Sequence, residues 1–411
     1  MQAKVRRSKI HGIIRAPQSK SFGIRLILYS LLSKVKLKEI NPSEDIKVAI
    51  NVVKSLGVKQ KGNEFLREGS LITPSSLYFG GSATTLRMTI PILSVLGGKI
   101  LLDGDESLRK RPINAVIEAL KDQVKFSSTS LPTYMEGKLK SDKIAIRGNE
   151  SSQYISGFMY AFSISGGGEI ELIPPVSSKS YIYITADLLN SLGGDIRIQG
   201  NKIIVNEGKF REYEGEIPGD YALASFYAIA SIITDDEKGV IIQNLYNPPS
   251  YEGDHSIVKI LEEMGAYSKV EGNSWVVRNR GKLRGIKVNI DDMPDLAPSI
   301  ASISPFAESD TIIEGISRLK TKESNRIETI STTLRSFAVN VDVINDEKMI
   351  IYPSIPKYGK IVCPNDHRIA MMAGVLSLYS GGEIENAECV NKSNPYFWKD
   401  LMSLGGDIRL V

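Results

Sequence analysis

The stretch Leu188–Ile198, LLNSLGGDIRI, returns as Asp400–Leu410, DLMSLGGDIRL, almost letter for letter. Each copy reads as the last turns of an amphipathic helix, a Gly-Gly stop and the start of a strand, because apolar residues first fall three and four apart and then alternate. Gly193 and Gly405 stand where a left-handed residue closes a helix at little steric cost. Two such passages half a chain apart indicate two related halves.

Working outward, one unit recurs six times: a short polar loop, a mostly apolar helix, then an amphipathic helix that stops and feeds a strand. The loops centre near Lys20, Thr84, Ser151, Asp220, Asp295 and Asp366. Their spacing of roughly 65 to 75 residues suits a βαβ unit with an extra hairpin. The first helices read SFGIRLILYSLL, TLRMTIPILSVL, YISGFMYAFSIS, ALASFYAIASII, LAPSIASIS and RIAMMAGVLSLYS. Most are apolar nearly all round and must be buried on every side. The second helices, such as EDIKVAINVVKSLG and DHSIVKILEEMGA, keep one face polar, and Gly57 and Gly265 end them. Each half would hold three units, dividing near Glu216 to Asp220, where proline and glycine cluster. The segment KIHGIIRA near the N-terminus reads as a strand that could return to the second half.

With 411 residues, 42% hydrophobic and 24% charged, the chain exceeds what one core usually organises, so two domains are expected. A net charge of +4 argues against a general nucleic-acid or membrane-surface binder, so any anion preference must be local. Cys363 and Cys389 are the only cysteines; they cannot build a disulfide framework or a four-thiol metal cage, and a reducing compartment fits. MQAKVRRSKIHGIIRAP lacks an apolar run of signal-peptide length, and no stretch reaches the roughly 18 to 20 apolar residues of a membrane span. A cytoplasmic protein follows from these features, and a monomer is expected.

Each polar loop precedes a buried helix, so backbone amides and the positive helix end point out of it. Cations stand at or near four of these turns: Lys20 with Arg25, Arg87, Arg368, and Lys322 with Arg326. Taken singly, these motifs have plainer readings. Ser21, Ser151, Ser152 and Asp295 could be helix caps; Arg111 in LRKRPI could belong to a charged loop with Pro112 opening a helix; LKTKESNRIE could be a solvated helix start.

Together and in order, from Pro17 to Pro395, the motifs APQSKSFGIR, FGGSATTLR, LRKRPI, GNESSQYISG, MPDLAPSIAS, LKTKESNRIE, NDHRIAMMAG and CVNKSNP resemble those of the 5-enolpyruvylshikimate-3-phosphate synthases. The resemblance implies an α/β fold, an inside-out barrel or prism in two domains. Each domain has three βαβαββ repeats around buried parallel helices. One domain would be formed by both chain ends (1–17 and 219–411) and the other inserted (18–218). It implies transfer of the enolpyruvyl group of phosphoenolpyruvate to the 5-hydroxyl of shikimate 3-phosphate, with release of phosphate and with no cofactor or metal.

The same resemblance assigns shikimate 3-phosphate to Lys20, Ser21, Arg25, Ser151, Ser152, Ser178, Asp295 and Lys322. It assigns phosphoenolpyruvate to Lys20, Ala83, Thr84, Arg111, Gln153, Arg326, Arg368 and Lys392. Asp295 would take the hydroxyl proton as general base; Lys322 could exchange protons with it and Glu323 could protonate the methylene. The chain departs from the family at Ala83, usually glycine, where a methyl crowds glyphosate more than substrate, and reduced sensitivity is expected. Lys320 and Asn325 replace a common arginine and aspartate, and Arg318 stands where some relatives have asparagine. His367 has no assigned role.

The two substrates bring about six negative charges at neutral pH. Lys20, Arg25, Arg111, Lys322, Arg326, Arg368 and Lys392 offer seven positive ones, so no metal is needed for balance. Because ligands fall in both halves, closure on binding is expected. Two rivals remain open here. The related transferase acting on a UDP-linked amino sugar carries Lys-Asn where this chain has Lys20-Ser21, and usually a cysteine before the position of Arg111, where none occurs. A non-catalytic clamp on nucleic acid would need spread cations, against which Asp295 and Glu323 argue.

Overall fold

The computed structural model describes residues 1–40, 43–234, 237–245 and 253–411. Contacts divide the chain into two units, Met1–Ser19 with Pro218–Val411, and Lys20–Ile217.

Among the described residues are six four-stranded sheets, three in each unit, all on one plan: a parallel pair followed by two antiparallel steps. In the inserted unit one sheet runs Lys143–Arg147, Gly168–Ile173, Lys202–Asn206, Asp195–Gln199. Its counterpart in the other unit runs Lys287–Asn289, Thr311–Glu314, Lys348–Ile351, Val341–Ile344. The parallel step needs a crossover, and in four of the sheets the buried helix of the repeat supplies it.

Three strands complete sheets far from their own sequence neighbours. Tyr213–Gly215 pairs with Val35–Leu37 and so closes the inserted unit. Gly12–Arg15 pairs with Val240–Gln243, as expected of KIHGIIRA. An earlier strand, Gln2–Val5, lies between Gly382–Glu385 and Ile408–Leu410. Its four residues, alternating toward the core only at Ala3 and Val5, carry too little apolar signal to be read alone.

The repeated passage that opened the sequence forms the same structure twice. Gly193 and Gly405 take φ of 98° and 107°. Gly194 N–H donates to Leu189 O (2.8 Å) and Gly406 N–H to Leu401 O (2.9 Å), the same six-residue closure after each helix.

Inside each unit the first helices of the repeats form the core. In the discontinuous unit these are Tyr221–Ile233, Ala297–Ile303 and His367–Ser380, which touch one another. All residues of Tyr221–Ile233 are buried, and burying each large apolar side chain contributes about 1.5–3 kcal/mol. Serines are tolerated there because their hydroxyls donate within the helix: Ser225 to Ala222 O, Ser302 to Ser299 O and Ser377 to Ala373 O, each at 2.7 Å.

In the inserted unit Lys20–Tyr29, Ala83–Leu96 and Ser152–Ser165 play this part. Gly157 lets the last two approach so closely that a Cβ there would lie 2.6 Å from Met88 O.

Cys363 and Cys389 are paired as a disulfide across 26 residues. Two thiols read as a sign of a reducing compartment therefore suffice for one bridge. Cys363 follows the strand Gly359–Val362, and Cys389 lies in the 3-10 helix Ala387–Lys392 just beyond the paired strand Gly382–Glu385. No helix among the described residues is long and apolar enough to cross a membrane.

Candidate active site

In the discontinuous unit, three polar turns meet around Asp295. Asp295 lies in the 3-10 turn Pro294–Leu296, just before the helix Ala297–Ile303. Arg326 opens the helix Arg326–Ser336, and Lys322 and Glu323 precede it. Arg368 is the second residue of His367–Ser380. Asp295 Oδ1 accepts from Arg326 Nη1 at 2.8 Å and faces Lys322 Nζ at 3.7 Å. Its Oδ2 accepts from Arg368 Nη2 at 3.2 Å, and its carbonyl oxygen from Arg368 Nη1 at 3.3 Å.

Burial alone would raise the Asp295 carboxyl, but Arg368, Lys322 and Arg326 outweigh it and hold the group well below the usual carboxylate range. Lys322 moves the other way: burial pulls its ammonium below the ordinary lysine value, against the opposing attraction of Asp295. Glu323 accepts from Arg326 Nη2 at 2.7 Å. Arg326 is fully buried, with its guanidinium shared among Asp295, Glu323 and Asp366. Burial opposes its charge, and those three carboxylates more than restore it.

Asp366 carried no role in the sequence reading beyond marking a loop. It is wholly buried and caps the helix that bears Arg368, accepting from the Arg368 N–H. The signal was present as an N-cap spacing, but only packing shows that the same carboxylate also reaches Arg326. His367 is buried beside it. Lys392 ends the 3-10 helix Ala387–Lys392, which packs on His367–Ser380.

In the inserted unit a second set gathers at helix N-termini. Lys20, first residue of its helix, pairs with the buried Asp45 at 2.9 Å. Arg25 is buried: its Nε donates to Thr185 Oγ1 (2.8 Å), Nη1 to Ser21 O (2.9 Å) and Nη2 to Tyr181 O (3.2 Å). Ser151 caps Ser152–Ser165 by accepting from the Gln153 N–H, and Ser152 is buried behind it.

Gln153 Nε2 donates to Thr84 Oγ1 at 2.7 Å, and its Oε1 accepts from Arg87 Nη1 at 3.5 Å. Two adjacent helix ends are thereby tied together, with Ala83 opening the second. Two positive helix ends side by side favour an anion. Arg111 Nε and Nη2 are buried with no partner among the described residues, a state that favours a ligand carboxylate or phosphate. Ser178 holds a left-handed conformation (φ 52°) at the head of Lys179–Ser191.

The sequence count of seven cations omitted the acids among them. Around Asp295 the charges of Lys322, Arg326 and Arg368 are matched by Asp295, Glu323 and Asp366, and Asp45 offsets Lys20. An anion bound there must compete with carboxylates rather than fill a bare cationic site. The three departures around the Lys322–Arg326 run sit at its edge. Lys320 pairs with Asp346 (2.7 Å), Arg318 Nη1 donates to Asp291 O (3.2 Å), and Asn325 takes the N-cap position of Arg326–Ser336 without a side-chain bond.

Comparison with known proteins matches residues 5–401 to the family EPSP synthase (3-phosphoshikimate 1-carboxyvinyltransferase). A 3-phosphoshikimate 1-carboxyvinyltransferase of Sulfurisphaera tokodaii is 62% identical over 408 residues, covering 99% of both chains. One of Saccharolobus solfataricus is 48% identical over the whole of both. Among solved structures, an EPSP synthase from Acinetobacter baumannii superposes with a TM-score of 0.79 at 23% identity over the whole of both chains. The enolpyruvyl transferase NikO from Streptomyces tendae gives 0.76 at 15%, covering 99% of this chain and 98% of its own. These two last likenesses show the fold.

Proposed function

The chain belongs to the EPSP synthase family, and we propose from its site how it transfers the enolpyruvyl group of phosphoenolpyruvate to the 5-hydroxyl of shikimate 3-phosphate. The observation that carries the reading is the convergence of Arg326, Arg368 and Lys322 on the Asp295 carboxylate.

Asp295 is the base. Surrounded by three cations it is ionised but weakly basic, and phosphoenolpyruvate changes that. Its phosphate and carboxylate compete for Arg368, loosen that hold on Asp295 and raise the affinity of the carboxylate for the hydroxyl proton. Arg326, held from behind by Glu323 and Asp366, keeps the carboxylate oriented.

Lys322 is the proton donor to the methylene carbon. Its lowered pKa makes it a stronger acid than an ordinary lysine, whereas the Glu323 carboxylate is tied up by the bond it accepts from Arg326. Hydroxyl attack at C2 of phosphoenolpyruvate with protonation at C3 gives a tetrahedral adduct. Loss of phosphate and of a C3 proton then yields the enolpyruvyl ether. Arg368 and Lys392 balance the phosphate as it departs.

Shikimate 3-phosphate is assigned to Lys20, Ser21, Arg25, Ser151, Ser152 and Ser178 with Asp295 and Lys322. Phosphoenolpyruvate is assigned to Lys20, Ala83, Thr84, Arg111, Gln153, Arg326, Arg368 and Lys392, with Arg326 also holding Asp295. Residence in the cytoplasm as a monomer is part of this proposal. Phosphate release tests the reading: it is expected only when both substrates are supplied. Release with either one omitted, or none with both, overturns it.

A further inference from the structure

Asp366 has no substrate assigned to it, yet it is one of the most constrained carboxylates in the molecule. It is fully buried and takes four donors. Oδ2 accepts from Arg326 Nε at 2.8 Å and Ser324 Oγ at 3.0 Å; Oδ1 accepts from Arg326 Nη2 at 3.2 Å and the backbone N–H of Arg368 at 3.1 Å. The two bonds to Arg326 form the planar fork that fixes a guanidinium in rotation as well as position. The bond to the Arg368 N–H caps His367–Ser380 and so sets the direction in which the Arg368 side chain leaves that helix.

Both arginines end on Asp295, one on each oxygen: Arg326 Nη1 on Oδ1, Arg368 Nη2 on Oδ2. One buried carboxylate therefore fixes the two donors that aim the base. We propose that Asp366 is a positioning residue for the transfer reaction, holding Arg326 and Arg368 in the register that orients the Asp295 carboxylate and presents Arg368 to phosphoenolpyruvate.

A plain cap would need only the Arg368 N–H bond, and a plain ion pair only Arg326. Ser324 adds a third restraint: its hydroxyl lies 3.0 Å from both Asp366 Oδ2 and Thr329 Oγ1, linking the carboxylate to the first turn of Arg326–Ser336. Removing an uncharged donor from a buried carboxylate loosens it without leaving a charge unpaired.

This inference rests on the proposed function, and the test separates the two. Steady-state turnover is measured for the wild type, Asp366→Asn and Ser324→Ala while each substrate is varied. Asparagine keeps an acceptor for the helix cap but replaces one arm of the fork with a donor that repels Arg326. Asp366→Asn is expected to lower kcat about a hundredfold and raise the KM for phosphoenolpyruvate about tenfold, with the KM for shikimate 3-phosphate within about twofold of wild type. Ser324→Ala, which keeps every charge, is expected to shift the same two quantities in the same direction by about threefold.

A loss of folding alone would not discriminate between the substrates, and Ser324→Ala decides the matter should Asp366→Asn not fold. Wild-type-like kinetics in Ser324→Ala, or equal changes in both KM values, overturn the positioning role. Absence of turnover in the wild type overturns the functional reading instead.

Discussion

Arg368 holds Asp295 at two points, its Nη2 on the carboxylate Oδ2 and its Nη1 on the Asp295 carbonyl oxygen. The same guanidinium is thus clamp to the base and candidate ligand to phosphoenolpyruvate, so substrate binding and base activation draw on one group. Arg368→Lys keeps the charge and loses the fork. We expect the KM for phosphoenolpyruvate to rise about tenfold and kcat to fall about tenfold or more. Steady-state kinetics check this, and an unchanged KM would remove Arg368 from the substrate.

Arg111 presents two buried nitrogens with no protein partner among the described residues. Arg111→Lys therefore breaks no hydrogen bond from those atoms. It should leave the melting temperature within about 2 °C of wild type while raising the KM for phosphoenolpyruvate about tenfold or more. Thermal unfolding and kinetics on one preparation check both halves.

Gly157 sets the approach of Ser152–Ser165 to Ala83–Leu96, with Met88 O 2.6 Å from where a Cβ would sit. Gly157→Ala must push the helices apart at a cost of about 1–3 kcal/mol. It should also strain the Gln153–Thr84 bond at their N-termini. Chemical denaturation should show the loss of stability, and weaker phosphoenolpyruvate binding should accompany it.

The depressed Asp295 pKa makes a prediction for acid. A carboxyl whose folded pKa lies below its unfolded value stabilises the fold at pH above the unfolded value, near 4, and this contribution is lost as pH falls through that region toward the folded pKa. Asp295→Asn should melt below the wild type at pH 7, and the two melting temperatures should converge as pH drops below about 4. A gap independent of pH would contradict the charge-based origin.

Much of this was legible in the residues because the fold repeats. The polar loops announced near Lys20, Thr84, Ser151, Asp220, Asp295 and Asp366 sit at the head of the buried helices, since an all-apolar run between polar turns has few other places to go. Asp295, Lys322, Glu323, Arg326 and Arg368 were named and do meet. What the sequence hid were long-range partners. Asp366 and Asp45 look like ordinary helix-start acids until packing buries one against Arg326 and the other against Lys20. Gln2–Val5 is too short to declare itself, and the bridge between Cys363 and Cys389 depends on a strand end and a 3-10 helix that only the fold brings together.

The central claim is that Asp295 removes the hydroxyl proton while the cations around it bind substrate. Single-turnover kinetics on Asp295→Asn, with both substrates bound beforehand and their affinities measured alongside, tests it most directly. The account predicts phosphoenolpyruvate bound at least about as tightly as by the wild type and a chemical step slower by a factor on the order of 10² to 10⁴. An asparagine variant that turned over at the wild-type rate, or that failed only because phosphoenolpyruvate no longer bound, would contradict it.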